Sequence, residues 1–224
     1  MRYLSILILL SLLFCTAVQG QLVLRKREPV KILALGDSYT IGESVPEEER
    51  WPEQLAARLR EKGLKVDKPV IIARTGWRTD QLKDAIASSG KSDDFNLVSL
   101  LIGVNNQYQK RTVDAYAPEF EELLNTAITK AGGRKDRVFV VSIPDYGFTP
   151  FGESRKEKIS AELDQFNARN KEIATRLGVV WINITDISRR GLTEPELVAS
   201  DKLHPSGRMY AEWVGRILTF MRVK

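Results

Sequence analysis

Three residues at two distant places in this 224-residue chain have the types needed for nucleophilic acyl chemistry. Ser38 lies in Gly36-Asp37-Ser38, at the end of the apolar run that begins at Ile32. His204 is the only histidine, and Asp201 precedes it by three residues. A serine hydroxyl is a poor nucleophile at neutral pH and needs a base within hydrogen-bond reach; that base works best when a third group fixes its tautomer. Ser38, His204 and Asp201 can fill these roles in the chain order serine, aspartate, histidine. Attack on an ester also creates an oxyanion, which needs donors already aimed at it. Gly76 can offer a backbone N–H, and Asn105, in Gly103-Val104-Asn105, a side-chain amide. Each residue alone has an ordinary reading as well: Gly-Asp-Ser is common turn chemistry, and a lone histidine is more often a bland surface or core residue.

Such residues meet only if the chain carries them to one edge. The run ILAL (32–35) reads as a buried parallel strand that stops at Gly36 and delivers Ser38 to the carboxyl edge of a sheet. PVIIA (69–73) is a second strand running out towards Gly76, and LVSLLI (97–102) a third ending at Gly103 and Asn105. Strands over 137–142 and 179–182 complete five. Between them, apolar residues at helical spacing predict helices over 51–62, over 112–131 with Gly132-Gly133 as its stop, and over 158–177. A helix after Gly76 takes Thr79 as its N-cap, a short one is expected within 194–199, and Pro205 fits the first turn of a last helix. The loop 143–153, with Tyr146, Phe148 and Phe151, is either a pocket wall or a cover over the sheet edge. Alternation of strand and helix implies an α/β protein with a five-stranded parallel sheet covered on both faces. GxGxxG, GxxxxGK and GxSxG are all missing, so dinucleotide, P-loop and nucleophile-elbow chemistry have no support.

In order, the chain carries Gly36-Asp37-Ser38, Gly76, Gly103-Val104-Asn105 and Asp201-Lys202-Leu203-His204. With these four blocks it resembles the SGNH hydrolases, the GDSL-like lipases and esterases, over roughly 31–220. The resemblance implies a flavodoxin-like three-layer α/β/α sandwich, no metal or organic cofactor, and ester hydrolysis through an acyl-serine. It makes Ser38 the nucleophile, His204 the base, Asp201 its orienter, and Gly76, Asn105 and the Ser38 backbone N–H the oxyanion hole. Tyr39 stands where the family name puts leucine, and Asn106 where an aspartate often follows the asparagine.

The composition, 43% hydrophobic and 28% charged, suits one globular domain, here 31–224 after a polar linker over 21–30. Residues 1–20 read as a secretory signal peptide, with Arg2 before an apolar run and small residues at Val18 and Gly20. Its rivals are an N-terminal membrane tether and lipidation at Cys15. Cleavage removes the only cysteine, so the exported protein forms no internal disulfide. A formal net charge of +5 fits solubility and carries no nucleic-acid inference. With one histidine, two-histidine zinc motifs are ruled out. The expected activity is a secreted or periplasmic serine esterase acting on short acyl esters, acetyl above all, of a small molecule or carbohydrate. A lysophospholipase, thioesterase or acyltransferase could use the same residues. A carbohydrate-binding module that kept the fold is the rival from another class, and it gives no reason for the sole histidine to follow an aspartate at this spacing.

Overall fold

Apolar runs without alternation have to be buried on both faces. In the computed structural model, which describes residues 21–224, the central runs are, while the run over 69–73 lies at the sheet edge and is only half-buried. The described residues form seven strands: β1 (Leu22–Leu24), β2 (Ile32–Asp37), β3 (Val70–Arg74), β4 (Leu97–Leu101), β5 (Val138–Val141), β6 (Val180–Ile182) and β7 (Met221–Val223). Every residue of β2, β4 and β5 is buried. The main sheet is parallel throughout and runs β3-β2-β4-β5-β6. In this order β2 is flanked on one side by its successor β3 and on the other by β4, so the winding reverses at β2. A ligand crevice opens outside the carboxyl ends of the strands at such a switch point.

Among the described residues eight α-helical segments accompany the strands: α1 (Ser38–Ile41), α2 (Trp51–Glu61), α3 (Thr79–Ser88), α4 (Val104–Tyr108), α5 (Val113–Lys130), α6 (Lys156–Leu177), α7 (Thr185–Ser188) and α8 (Gly207–Thr219). Helices α2 and α8 pack on each other, while α3 packs on α5 and α5 on α6. Trp51 against Phe139, Trp213 and Tyr210 are among the large side chains fully enclosed between sheet and helices. Among the described residues no helix is long and apolar enough to cross a membrane.

Most element boundaries fall within two residues of the sequence reading, and the departures have local causes. Arg78, not Thr79, occupies the N-cap of α3, because Thr79 turns inward and donates its backbone N–H to Asn106 Oδ1 at 3.1 Å. The last helix starts at Gly207, capped by the Ser206 hydroxyl, so Pro205 lies before it. The short element within 194–199 is a single 3₁₀ turn, Pro195–Leu197. The segment 21–30 is not a free linker: β1 lies within it and pairs in parallel with β7 at the chain's far end. Leu22 and Leu24 alternate inward there, a pattern of only two residues beside a run of exposed charges. The predicted signal peptide, 1–20, lies outside the described residues.

Candidate active site

Strand β2 ends at Asp37, whose carboxyl Oδ1 accepts the Tyr39 N–H at 3.0 Å and caps α1. Ser38 is therefore the first residue of a helical turn, with its backbone N–H among those that such a turn leaves free. The turn after β3 brings Gly76 to the same edge with φ 81°, a backbone conformation that a side chain disfavours. Gly103, at φ 133°, lets β4 turn abruptly into α4, and a Cβ there would come within 2.8 Å of Ile143 and Tyr116. Asn105 thus enters from the end of β4.

Ser38, Gly76, Asn105 and His204 line one cavity of about 180 Å³, together with Tyr39, Thr75, Val104, Tyr108, Tyr146, Phe151 and Leu203. Tyr146 and Phe151 place the loop 143–153 as a wall of this cavity. Phe148 faces elsewhere, beneath the cations of Lys156 and Arg189. The Asn105 amide donates to the Trp77 carbonyl at 3.0 Å, which fixes the side chain and uses one of its two N–H bonds. The buried Asn106 clasps Thr79 twice, accepting its N–H and donating to its hydroxyl at 2.6 Å. This residue, which departs from the family's usual aspartate, joins the loop bearing Asn105 to the loop bearing Gly76.

His204 is buried, and its Nδ1 stands 2.6 Å from Asp201 Oδ2. An ionised carboxylate can only accept, so Nδ1 of the neutral ring carries the proton and Nε2 keeps its lone pair. No hydrogen bond joins Ser38 Oγ to His204 directly, although both face the cavity; such bonds often tighten only with substrate present. The other carboxylate oxygen of Asp201 accepts the N–H groups of Leu203 and His204, both at 2.9 Å. The histidine loop is fastened in turn by Ala199 N–H donating to the His204 carbonyl at 2.7 Å and by a bridge between Val198 and Pro205.

One participant has no signal in the sequence. Ser44, 157 residues from Asp201, donates its hydroxyl to Asp201 Oδ2 at 2.6 Å. Burial of the Asp201 carboxyl would raise its pKa, but the hydrogen bonds from Ser44, the His204 ring and two backbone N–H groups outweigh it and hold the group at about 2. Ser44 has φ 67°, and among the described residues the other two non-glycine residues in this region of backbone space are Lys110 and Lys202. Ser44 is bonded to Asp201 and Lys202 directly precedes Leu203 of the cavity wall; strain of this kind tends to collect in functional sites. Asp37, by contrast, is fully enclosed, its Oδ2 has no protein partner, and desolvation pushes its carboxyl up to about 8.

A hydroxyl, a ring nitrogen with an oriented lone pair and an arc of N–H donors are the parts needed to attack a carbonyl carbon and hold the resulting oxyanion. Among the described residues no three His, Cys, Asp or Glu side chains are grouped to hold a metal ion.

Residues 34–212 match the sequence profile of the GDSL-like Lipase/Acylhydrolase family. No curated protein sequence matches the chain. Among solved structures, a lipolytic protein of the G-D-S-L family from Veillonella parvula superposes with a TM-score of 0.65 at 19% identity, over 85% of this chain and 97% of that one. Axe2, an acetylxylan esterase from Geobacillus stearothermophilus, gives 0.66 at 18% identity over 87% and 96%. A lipase/acylhydrolase from Enterococcus faecalis gives 0.64 at 18% over 85% and 94%. At these identities the likeness is one of fold.

Proposed function

Because this chain belongs to the GDSL-like lipase/acylhydrolase family and is thereby a carboxylic ester hydrolase, we propose that it is an exported serine esterase that removes short acyl groups, acetyl above all, from a polar alcohol such as a sugar. Ser38 Oγ attacks the acyl carbonyl while His204 Nε2 takes its proton. Asp201 holds the Nδ1 proton and stabilises the imidazolium that forms. The N–H groups of Ser38 and Gly76 and the Asn105 amide receive the oxyanion. Collapse of the tetrahedral intermediate expels the alcohol, protonated by His204. A water molecule activated by the same ring then attacks the acyl-serine and releases the acid.

The observation that carries this reading is the convergence of four side chains and backbone groups from three strand ends and the pre-α8 loop on a single cavity, with the histidine already oriented. Its volume of about 180 Å³ is below the roughly 300–1,000 Å³ typical of sites for drug-sized ligands. A long acyl chain gains about 0.8 kcal/mol per buried CH₂ only where an apolar channel encloses it. The space here, walled by Val104, Tyr146, Phe151 and Leu203, suits a group of a few carbons.

The test is kcat/KM across p-nitrophenyl esters from acetyl to palmitoyl, beside Ser38→Ala. Turnover should be highest for acetyl or propionyl and vanish in the variant. A maximum at octanoyl or longer would overturn the short-acyl reading and favour a lysophospholipase, and full activity in Ser38→Ala would remove the nucleophile.

A further inference from the structure

A second, larger cavity of about 860 Å³ adjoins the first and shares Tyr108 and Tyr146 with it. One wall is a single face of α6: Lys158, Ile159, Glu162, Phe166, Arg169 and Glu172 recur every three or four residues. From Lys158 to Glu172 this face extends roughly 21 Å at the helical rise, and Arg155 lies just ahead of the helix. The opposite wall is the chain from Gln107 to Asp114, between the end of α4 and the start of α5. We propose that this groove is the binding site for the alcohol portion of the ester, and that this portion is an acidic, carboxylate-bearing oligosaccharide. The inference rests on the esterase reading above and names its substrate class.

Three features of the groove point to that ligand. At the junction of the two cavities, Tyr108 and Phe151 are the exposed large hydrophobic side chains of the described residues, 50% and 43% accessible. With Tyr146 they form a mutually packed set, their ring centroids 6.1 to 6.4 Å apart. Flat aromatic faces beside a catalytic cavity suit the apolar faces of pyranose rings, whose hydroxyls need polar partners around them.

The groove supplies those partners. Gln107 is buried at its floor, accepting from the Tyr146 hydroxyl at 2.9 Å and donating to Glu162 at 2.6 Å. Glu162 and Gln165 lie beyond it along α6.

Charge selects among sugars. Of the five cations that line the groove, Arg111, Lys158 and Arg169 pair with Glu119, Glu162 and Glu172. Lys110 and Arg155 form no ion pair among the described residues; Lys110 lies in the 107–114 wall, two residues after Tyr108, and Arg155 just ahead of α6, near Tyr146. Lys110 is also held at φ 61°, where glycine or asparagine would be less strained, by the bonds Lys110 N–H to Gln107 O and Arg111 N–H to Asn106 O. Two such cations across a groove match carboxylates spaced along a chain, each worth a modest contact because both are exposed.

The experiment compares three substrates: p-nitrophenyl acetate, whose small leaving group carries no carboxylate, a neutral acetylated xylo-oligosaccharide, and an acetylated oligogalacturonide of similar length. The wild type should favour the acidic oligosaccharide over the neutral one by about tenfold in kcat/KM, and lose that preference in about 0.5 M NaCl, where charges are screened. Lys110→Glu and Arg155→Glu, singly and together, should raise KM for the acidic substrate about five- to tenfold each while kcat/KM for p-nitrophenyl acetate stays within about twofold. In a Ser38→Ala background, calorimetry with de-acetylated oligogalacturonide should detect binding that the double charge reversal abolishes. Equal use of acidic and neutral oligosaccharides, or a KM indifferent to charge reversal, overturns the proposal while Ser38-dependent turnover of p-nitrophenyl acetate leaves the esterase reading intact. Absence of Ser38-dependent turnover on all three substrates would overturn both.

Discussion

Asp37 sits immediately before Ser38, the proposed nucleophile, and is the one fully enclosed carboxyl in the site whose second oxygen has no protein partner. Desolvation drives its pKa up to about 8, and the hydrogen bond from the Tyr39 N–H only partly offsets that. A carboxyl whose folded pKa lies above its unfolded value of about 3.9 stabilises the fold most in acid, and this contribution is lost as pH rises towards 8. At pH 7 folding must take up a proton that the unfolded chain has released. The free-energy difference is about 1.36 kcal/mol per pH unit over roughly three units, on the order of 4 kcal/mol. Asp37→Asn removes the titration yet keeps an oxygen for the Tyr39 N–H, and asparagine caps helices as well as aspartate. The variant should therefore be more stable than the wild type by up to about 4 kcal/mol at pH 7, and the gap should close near pH 4. Guanidinium denaturation of both proteins at half-unit steps from pH 4 to 9 measures this directly, because every other titrating group is common to the pair. Parallel stability profiles, with a constant offset, would refute a buried neutral Asp37.

Ser44→Ala should lower kcat roughly three- to tenfold, since an exposed donor to a charged acceptor is worth less than a buried one. Ser44→Gly should lose as much activity yet be about 1 kcal/mol more stable than Ser44→Ala, because glycine tolerates the φ of 67°; equal stabilities with unchanged kcat would leave Ser44 without a role. Asn105→Ala should reduce kcat about 10²- to 10³-fold with KM nearly constant, whereas a raised KM with kcat preserved would make Asn105 a ground-state contact. Ser38→Ala and His204→Ala should each remove nearly all turnover, and the double variant should be no worse than either, as for residues that act as one unit. Additive losses would contradict a shared role.

The parts of this account that were legible in the sequence share one physical origin. Strands β2, β4 and β5 are covered on both faces, so their residues form unbroken apolar runs whose ends are conspicuous, and the polar residues that matter stand at those ends. His204 and Asp201 were conspicuous through scarcity and spacing. Ser44 was not, because its partner lies 157 residues away and an exposed serine in an acidic turn has no periodicity to betray it. Strand β1 escaped for a related reason: three residues that pair only with the last strand leave no local signal. The groove along α6 depends on which loop packs opposite that helix, and a single chain of letters does not contain that information.

The central claim is that Ser38 attacks an acyl carbonyl under the control of His204. Incubation with a p-nitrophenyl alkylphosphonate, followed by intact-mass and peptide mass spectrometry, tests it most directly. The account predicts one phosphonyl group per chain, on the peptide containing Ser38, acquired in step with loss of esterase activity and not acquired by Ser38→Ala. Labelling at another residue with the same loss, or turnover that survives complete modification of Ser38, would contradict it.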